Sequence, residues 1–409
     1  MSLPEELPAD ALDRRIDRHE DERIGRVRDR RGERHVRQQS GVEQGVSHRA
    51  CRTGQRGEER IRGPRIATCQ TAGPGIVGRE PHGVQSAAVA PDNRRNLVRA
   101  AVCTRYGPPD VLQLREVETP VPRDDEVLVK IRATTVTSSD WFVRSGGPTL
   151  PLVKRAMMHL VVGIRGPRRA ILGMVLAGEV DQVGREVRRF RVGDRVYAFT
   201  KYHFGAYAQY VCLAETSTIA GAPGNVTFDE AAAIPYGGLL ALHFLSKGRI
   251  ASGQGVLVYG ASGAVGTSAV QLARHFGADV TAVCGPSNLG LAGSLGAAEV
   301  VDYTKESAPP VGRRYDLVFD AVGRRKTSAL KVACSTALTP GGRYLSVDDG
   351  TPETPATALA QLTELVEAGS LRPVIDRLYP LELIAEAHRY VEGEHKKGSV
   401  VITVGHEGD

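Results

Sequence analysis

The sequence predicts an α/β protein: a β-rich unit, then a doubly wound parallel sheet, both behind a leading segment with no core of its own. Three observations carry this reading. All 21 aromatic residues lie beyond residue 97. Short alternating stretches broken by Gly and Asp turns fill 99–222. After Pro223 strand and helix patterns take turns, and a glycine-rich strand-to-helix turn sits at 256–266.

Residues 1–97 hold 19 Arg, no Lys and 15 Asp plus Glu. Such a stretch buries too little apolar surface to offset the entropy of ordering it. It reads as a disordered extension, or as an upstream stretch translated ahead of a natural start near Val98. Arg without Lys points to base-composition bias more than to a selected basic surface, so an RNA-binding arm is the lesser reading. Most of the formal charge of +6 comes from this segment. The body is nearly neutral, and no nucleic-acid partner is expected. No apolar run reaches the length of a membrane span, and no secretory signal opens the chain. Cys51, Cys69, Cys103, Cys212, Cys284 and Cys334 are too scattered for a disulfide scaffold. A reducing, cytoplasmic setting is the expectation.

Val127–Arg132 alternates apolar and polar, as a half-buried strand does. Gly178–Val183, Val192–Phe199 and Tyr207–Leu213 are further strands, separated by turns such as Gly193-Asp194. Close spacing of short strands indicates a small barrel-like unit. Leu150–Ile171 is apolar with basic breaks; its length suits a helical lid or packed loop better than a membrane-touching helix. Thr227, with Glu230 three residues on, reads as a helix N-cap. Val256–Tyr259, Asp279–Cys284, Glu299–Asp302, Asp316–Asp320 and Arg343–Asp348 then read as parallel strands with helices between. The end returns to strand, helix and strand over Val374–Tyr379, Leu381–Val391 and Val400–Val404.

The strongest chemical signal is Val256–Gly266, VLVYGASGAVG. Gly260 permits a tight turn, Gly263 lets main chain approach a pyrophosphate, and Gly266 lets the helix pack on the strand. Ser262, Ala264 and Val265 complete the cradle, where a helix N-terminus offers N–H groups and a positive dipole end to phosphate. Gly277 stands where a left-handed C-cap belongs. The second strand ends Cys284-Gly285-Pro286-Ser287-Asn288 without a carboxylate. A carboxylate there would bond a ribose 2′-OH and repel a 2′-phosphate, so NADP is admitted, with Ser287 and Asn288 as donors. A plain turn, with Asn288 capping a helix weakened by Gly290 and Gly293, is the alternative.

From these motifs the chain resembles the medium-chain dehydrogenase/reductase superfamily. It is most similar to the zinc-independent quinone oxidoreductase and NAD(P)-dependent alcohol dehydrogenase-like branch. The stretches that carry the resemblance include ILGMVLAGEVDQVG (171–184), FRVGDRVYAF (190–199), AAAIPYGGLLALHFL (231–245), VVDYTKE (300–306), YDLVFDAVG (315–323) and PGGRYLSVD (340–348). The resemblance implies a GroES-like catalytic domain over 98–222, a Rossmann NADP-binding domain over 223–368, and a return to the first domain over 369–409. It also implies that Tyr303 meets the adenosine 2′-phosphate and that Ala321, Val322 and Gly323 form the loop near the nicotinamide ribose.

Departures from the family pattern shape the remaining expectations. Where zinc-dependent relatives place Cys and Gly-His-Glu, this chain has Thr137-Ser138-Ser139-Asp140 and Gly173-Met174-Val175, and no CxxC pair exists. No metal is expected. After Asp348 the chain runs through DGTPETPAT to the next helix without the apolar strand that relatives carry there, so the usual homodimer is expected to be weakened. Without a Lewis acid, hydride transfer from NADPH suits an acceptor already electron-poor, a quinone or an α,β-unsaturated carbonyl. Thr137, Tyr207 and Tyr236 are the catalytic candidates, with Tyr202 and His203 also near the implied cleft. Asp140 and Arg144 read as a structural pair. The rival readings are a zinc-independent alcohol or aldehyde dehydrogenase and a non-catalytic NADP-binding protein.

Overall fold

The computed structural model describes residues 97–150, 152–324, 326–393 and 396–406. The reading of the leading segment as disordered or spurious lies outside the described residues.

The β-rich unit opens with β1 (Leu97–Cys103), β2 (Leu112–Glu118) and β3 (Glu126–Val136). Two helices follow, α1 (Ser138–Arg144) and α2 (Leu152–Val162), then β4 (Val175–Val183), β5 (Arg195–Phe199), β6 (Tyr210–Ala214) and β7 (Ile219–Gly221). The second unit runs α3 (Phe228–Ala232), α4 (Pro235–Gly248), β8 (Gly255–Tyr259), α5 (Ala264–His275), β9 (Asp279–Cys284), α6 (Leu289–Ser294), β10 (Glu299–Asp302), β11 (Tyr315–Asp320), α7 (Ala329–Thr336), β12 (Leu338–Ser346) and α8 (Ala356–Glu367). Last come β13 (Ile375–Pro380), α9 (Ile384–Glu392) and β14 (Ser399–Thr403).

The second unit is a Rossmann domain. Its five parallel strands stand in the order β10-β9-β8-β11-β12. The order reverses between β8 and β11, which opens a crevice at the carboxyl ends of these strands. The first unit is GroES-like. Its seven-stranded sheet runs β13-β14-β3-β4-β5-β7, with β6 on β3. β14 joins that sheet antiparallel to β3, Val400 opposite Val136, so the last strand closes onto the sheet that β3 begins. β3 pairs with β4, β6 and β14, and its Val127, Val129 and Ile131 are fully buried.

Boundaries shift where turn chemistry prevails over hydrophobic pattern. The expected strand from Val192 begins only at Arg195, because Gly193 takes φ +90° and the Arg191 N–H donates to Asp194 Oδ2 (2.8 Å). The strand expected from Tyr207 begins at Tyr210; Tyr207 instead donates its N–H to Leu172 O (3.0 Å) and accepts from Ala101 N (2.8 Å). The helix capped by Thr227 and Glu230 forms with its full capping box but stops after Ala232, and Pro235 starts the next helix in its first turn.

Gly178 marks the tightest crossing of β4 over β3. A Cβ there would stand 3.0 Å from Ile131 Cα and closer still to the Lys130 carbonyl. Gly178→Ala should therefore cost about 1–3 kcal/mol of stability as backbone is forced apart. Urea denaturation reads this, and an unchanged midpoint would refute it.

Candidate active site

The crevice is built on the turn after β8. Gly260 takes φ +82°, and Val322 Cγ1 lies so close over it that no Cβ fits. Gly260 and Ala261 both donate their N–H to Val283 O, at 2.9 and 3.0 Å. The turn is thus pinned to the end of β9. Gly266 brings α5 onto the strand: a Cβ there would fall 2.7 Å from Ala261 Cα. Gly263 is the N-cap of α5 and has no side-chain cap. Its Cβ would meet nothing nearer than Gly260 O at 3.7 Å, so packing does not require glycine here and the space is open. The helix then presents uncapped N–H groups and the positive end of its dipole into that space. Val265 anchors the first turn in the core, and Ala264 receives α4, because a Cβ on Gly237 would stand 2.8 Å from the Ala264 carbonyl carbon.

The Ser262 carbonyl accepts from Gly398 N (2.7 Å), and Gly263 and Gly398 form a parallel bridge. The cradle is therefore sewn to the segment entering β14. Sequence reasoning missed this tie; Gly398, with φ +65° and no room for a Cβ beside Val374 O, was its only signal.

At the end of β9, Ser287 is exposed and Asn288 buried, the two joined through Ser287 Oγ and Asn288 Oδ1 (3.4 Å). Tyr303 lies over Gly285, with its hydroxyl 3.5 Å from where a Cβ would sit, and is 46% exposed. The three residues face the same end of the crevice, and none of them is a carboxylate.

Across the turn, Ala321 N donates to Tyr259 O (2.9 Å), and Val322 N and Gly323 N both donate to Asp320 Oδ1 at 3.2 Å. Asp320 is fully buried. Its Oδ2 accepts from Tyr344 (3.0 Å) and Ser346 (3.1 Å) and pairs with Lys331 Nζ (2.8 Å). Lys331 also donates to Gly323 O (2.6 Å). A buried ion pair with its remaining valences satisfied thus holds the 321–323 loop.

On the GroES-like side, Thr137 is the N-cap of α1. Its hydroxyl donates to Asp140 Oδ2 (2.6 Å) and accepts from Asp140 N (3.1 Å). Thr137 is therefore a capping group. Tyr207 is fully buried, with its hydroxyl 3.2 Å from His388 Nε2. Of Thr137, Tyr207 and Tyr236, Tyr236 alone offers a hydroxyl at a partly open position: it meets Ser138 Oγ (3.1 Å) and Ser139 Oγ (3.0 Å) where α4 touches α1. The expected Asp140–Arg144 pair does not form. Arg144 instead reaches the Gly107 carbonyl and Glu392, and Asp140 serves Thr137. Tyr202 and His203 lie in a short surface turn.

In the stretches that the resemblance matches to the zinc-binding segments, the donors are the hydroxyls of residues 137–139, the Asp140 carboxylate already bonded to Thr137, and the buried thioether of Met174. Zinc takes thiolate, imidazole and carboxylate, and among the described residues no three His, Cys, Asp or Glu side chains converge. The cradle, by contrast, fits a dinucleotide pyrophosphate in shape, donors and dipole.

A GroES-like unit closed by its own C-terminus around a Rossmann crevice defines the class, a two-domain oxidoreductase scaffold. Residues 123–240 match the family described as alcohol dehydrogenase GroES-like domain, and 264–373 and 350–402 match two families described as zinc-binding dehydrogenase. The NADPH-dependent alkenal/one oxidoreductase of Arabidopsis thaliana is 31% identical over 325 residues, 75% of this chain and 79% of that protein. The 2-methylene-furan-3-one reductase of Solanum lycopersicum is 32% identical, covering 73% of this chain and 77% of its own length. The quinone oxidoreductase structure from Coxiella burnetii superposes with a TM-score of 0.66 at 25% identity, over 76% of this chain and all of that one. The chain belongs to the medium-chain dehydrogenase/reductase superfamily, in its quinone oxidoreductase-like branch.

Two predictions follow from this geometry. Gly263→Asp places a carboxylate in the open space of the cradle without a clash. It should weaken NADPH binding at least tenfold, about 1.4 kcal/mol, at unchanged melting temperature; calorimetry reads both, and undiminished affinity would show that phosphate does not bind there. The second concerns pH. Burial pushes the Asp140 carboxyl up to about 6 and holds the His388 imidazole well below its usual value. Below about pH 6 the folded chain takes up the Asp140 proton before the unfolded chain does, so this group adds stability as pH falls. His388 resists a proton that the unfolded chain accepts, so its contribution shrinks as pH falls through its ordinary range. Asp140→Asn should steepen the loss of stability toward acid, and His388→Gln should flatten it. Urea titrations at stepped pH check both slopes, and identical slopes in wild type and variants would contradict the assignment.

Proposed function

We infer that the chain is a zinc-independent NAD(P)H oxidoreductase that delivers hydride to a quinone or an α,β-unsaturated carbonyl, with NADPH preferred over NADH. The observation that carries this reading is the uncapped, glycine-lined N-terminus of α5 opening beneath Gly260. Two further features support it. Relatives are named an alkenal/one oxidoreductase and a 2-methylene-furan-3-one reductase, and residues 137–140 and 174 offer zinc no thiolate or imidazole.

Gly260, Ser262, Gly263, Ala264, Val265 and Gly266 would hold the pyrophosphate on main-chain N–H groups. Ser287, Asn288 and Tyr303 would donate to a 2′-phosphate that no carboxylate repels. Ala321, Val322 and Gly323, fixed by Asp320, would border the ribose of the nicotinamide. When bound, the nicotinamide supplies the hydride. What remains for the protein is to orient the acceptor and manage one proton. The connected hydroxyls of Ser138, Ser139 and Tyr236 can donate to an oxygen that gains negative charge and can draw a proton from solvent. Burial raises the Tyr236 pKa above the usual phenol value, so at neutral pH this hydroxyl remains a donor. Thr137 and Tyr207 would act through position, not through the reacting atoms. A homodimer through the Rossmann sheet edge is weakened by the strand that does not follow β12, and the reducing cytoplasm suits the buried thiols.

NADPH oxidation by the full chain should proceed with 2-alkenals, enones and small quinones, more slowly with NADH, and should fall about tenfold or more in Tyr236→Phe. Nucleotide binding without turnover on any acceptor would establish a non-catalytic binding protein. Faster oxidation of alcohols with NADP⁺ would establish the dehydrogenase instead.

A further inference from the structure

One surface is not absorbed by this function. α2 and the turn after it carry Leu152, Val153, Met157, Leu160, Val161 and Ile164, each 62–82% exposed. In a surface helix the apolar stripe normally faces the core; here a second one faces outward. The helix is not loosely held. Val162 is buried and Met158 packs against the core, His159 stacks on Tyr106 with ring centroids 4.8 Å apart, and His159 Nε2 lies 3.1 Å from Gly146 O. The Tyr106 hydroxyl donates to Gly163 O (2.6 Å) and Arg168 N donates to Val162 O (2.8 Å). The inner face is docked, so the outer face is fixed outward.

The sequence through this stretch carries charge of one sign. From 141 to 178 the chain has no Asp or Glu, while Arg144, Lys154, Arg155, Arg165, Arg168 and Arg169 fall within it. Arg155, Arg165, Arg168 and Arg169 are exposed, and none of the four forms an ion pair among the described residues. An apolar face beside unpaired arginines complements a surface that is apolar below and anionic at its rim. At about 16 Å the helix is too short to cross a hydrocarbon core of about 30 Å, but it can lie in the headgroup boundary.

We propose that α2 and residues 163–169 form a docking surface for anionic lipid bilayers. Apolar side chains enter the acyl boundary, and the arginines meet headgroup phosphates. This goes beyond the hydride-transfer reading and does not depend on it, since docking is measured without cofactor or acceptor. It does place the protein where lipophilic acceptors dissolve.

The test is flotation of the full chain with vesicles of equal parts phosphatidylglycerol and phosphatidylcholine, with pure phosphatidylcholine as control. The wild type should float with the anionic vesicles and lose binding as salt rises. The triple variant Met157→Ser, Leu160→Ser, Ile164→Ser keeps every charge of the arginine-rich leading segment and removes only exposed side chains. It should bind at least tenfold more weakly with unchanged circular dichroism. Arg165→Gln, Arg168→Gln, Arg169→Gln should reduce both the binding and its salt dependence. Failure of the wild type to float, or equal flotation of wild type and the apolar triple variant, overturns the proposal. So does sedimentation velocity showing a wild-type dimer that the triple variant abolishes, without vesicle binding, or a raised KM in that variant without vesicle binding. These outcomes would assign the face to a second copy or to a substrate lid.

Discussion

The site depends on how closely three stretches of main chain converge on residue 260. The turn at Gly260 leaves β8 in a left-handed conformation, α5 returns over it at Gly266, and the 321–323 loop lies across it through Val322. None of these approaches tolerates a Cβ on the inner residue. The β9 carbonyl of Val283 holds two successive N–H groups of the same turn, so its direction is set by the sheet and not by the loop. Of the three glycines of this turn, Gly260 and Gly266 are required by packing, while a Cβ on Gly263 would meet nothing nearer than Gly260 O at 3.7 Å.

The two walls of the crevice use buried polarity in opposite ways. The Rossmann wall keeps its charges. Asp320 and Lys331 lie together under the 321–323 loop with Tyr344 and Ser346 completing their hydrogen bonds. Removing either partner would strand an ion in low dielectric, so the loop is held in one arrangement. The GroES-like wall moves toward neutrality. Desolvation raises Asp140, lowers His388 and raises Tyr207 between them. His388 and Tyr207 are thereby held neutral, and Asp140 is left as a carboxylate that takes a proton more readily than usual. The hydroxyls of Ser138, Ser139 and Tyr236 stand in front of it, on a helix cap that Thr137 and Asp140 tie shut.

Local chemistry was legible in the sequence, and long-range chemistry was not. The strands of the Rossmann sheet, the capping box at Thr227, the left-handed Gly277 and the glycine-rich turn after β8 follow from neighbours a few residues apart, so periodicity and glycine spacing reveal them. Asp320–Lys331 lies within one loop and helix, but nothing in FDAVGRRKTSALK distinguishes a buried lysine from a solvated one. Tyr207 with His388 joins residues 181 positions apart, and Ser262 with Gly398 joins two distant turns. Such pairs exist only once the sheets have closed. Thr137 and Tyr207 are catalytic candidates in the sequence because they fall in motif positions near the cleft. Their hydroxyls are instead held by Asp140 and His388, a fact of burial that residue type does not encode.

The short passage after β12 shows how the chain crosses from one sheet to the other. β12 pairs with β11 and ends the five-stranded sheet. The connection that follows is fastened residue by residue. Ser346 N donates to Asp349 Oδ2 (2.9 Å), Arg324 pairs with Asp349, Glu353 N donates to His243 Nδ1 (3.3 Å), and Thr218 Oγ1 donates to Thr354 O (2.6 Å). These contacts deliver α8 to the GroES-like sheet, where the buried Tyr197 hydroxyl takes Leu359 O at 2.7 Å and Thr363 Oγ1 at 2.8 Å. Among the described residues β12 is left as an open sheet edge, a template for pairing with another strand. That edge falls beyond β11, while the glycine-rich turn and the switch point belong to β8, β9 and β11. The open edge lies away from the end of β9, and the crevice keeps both strands that define it.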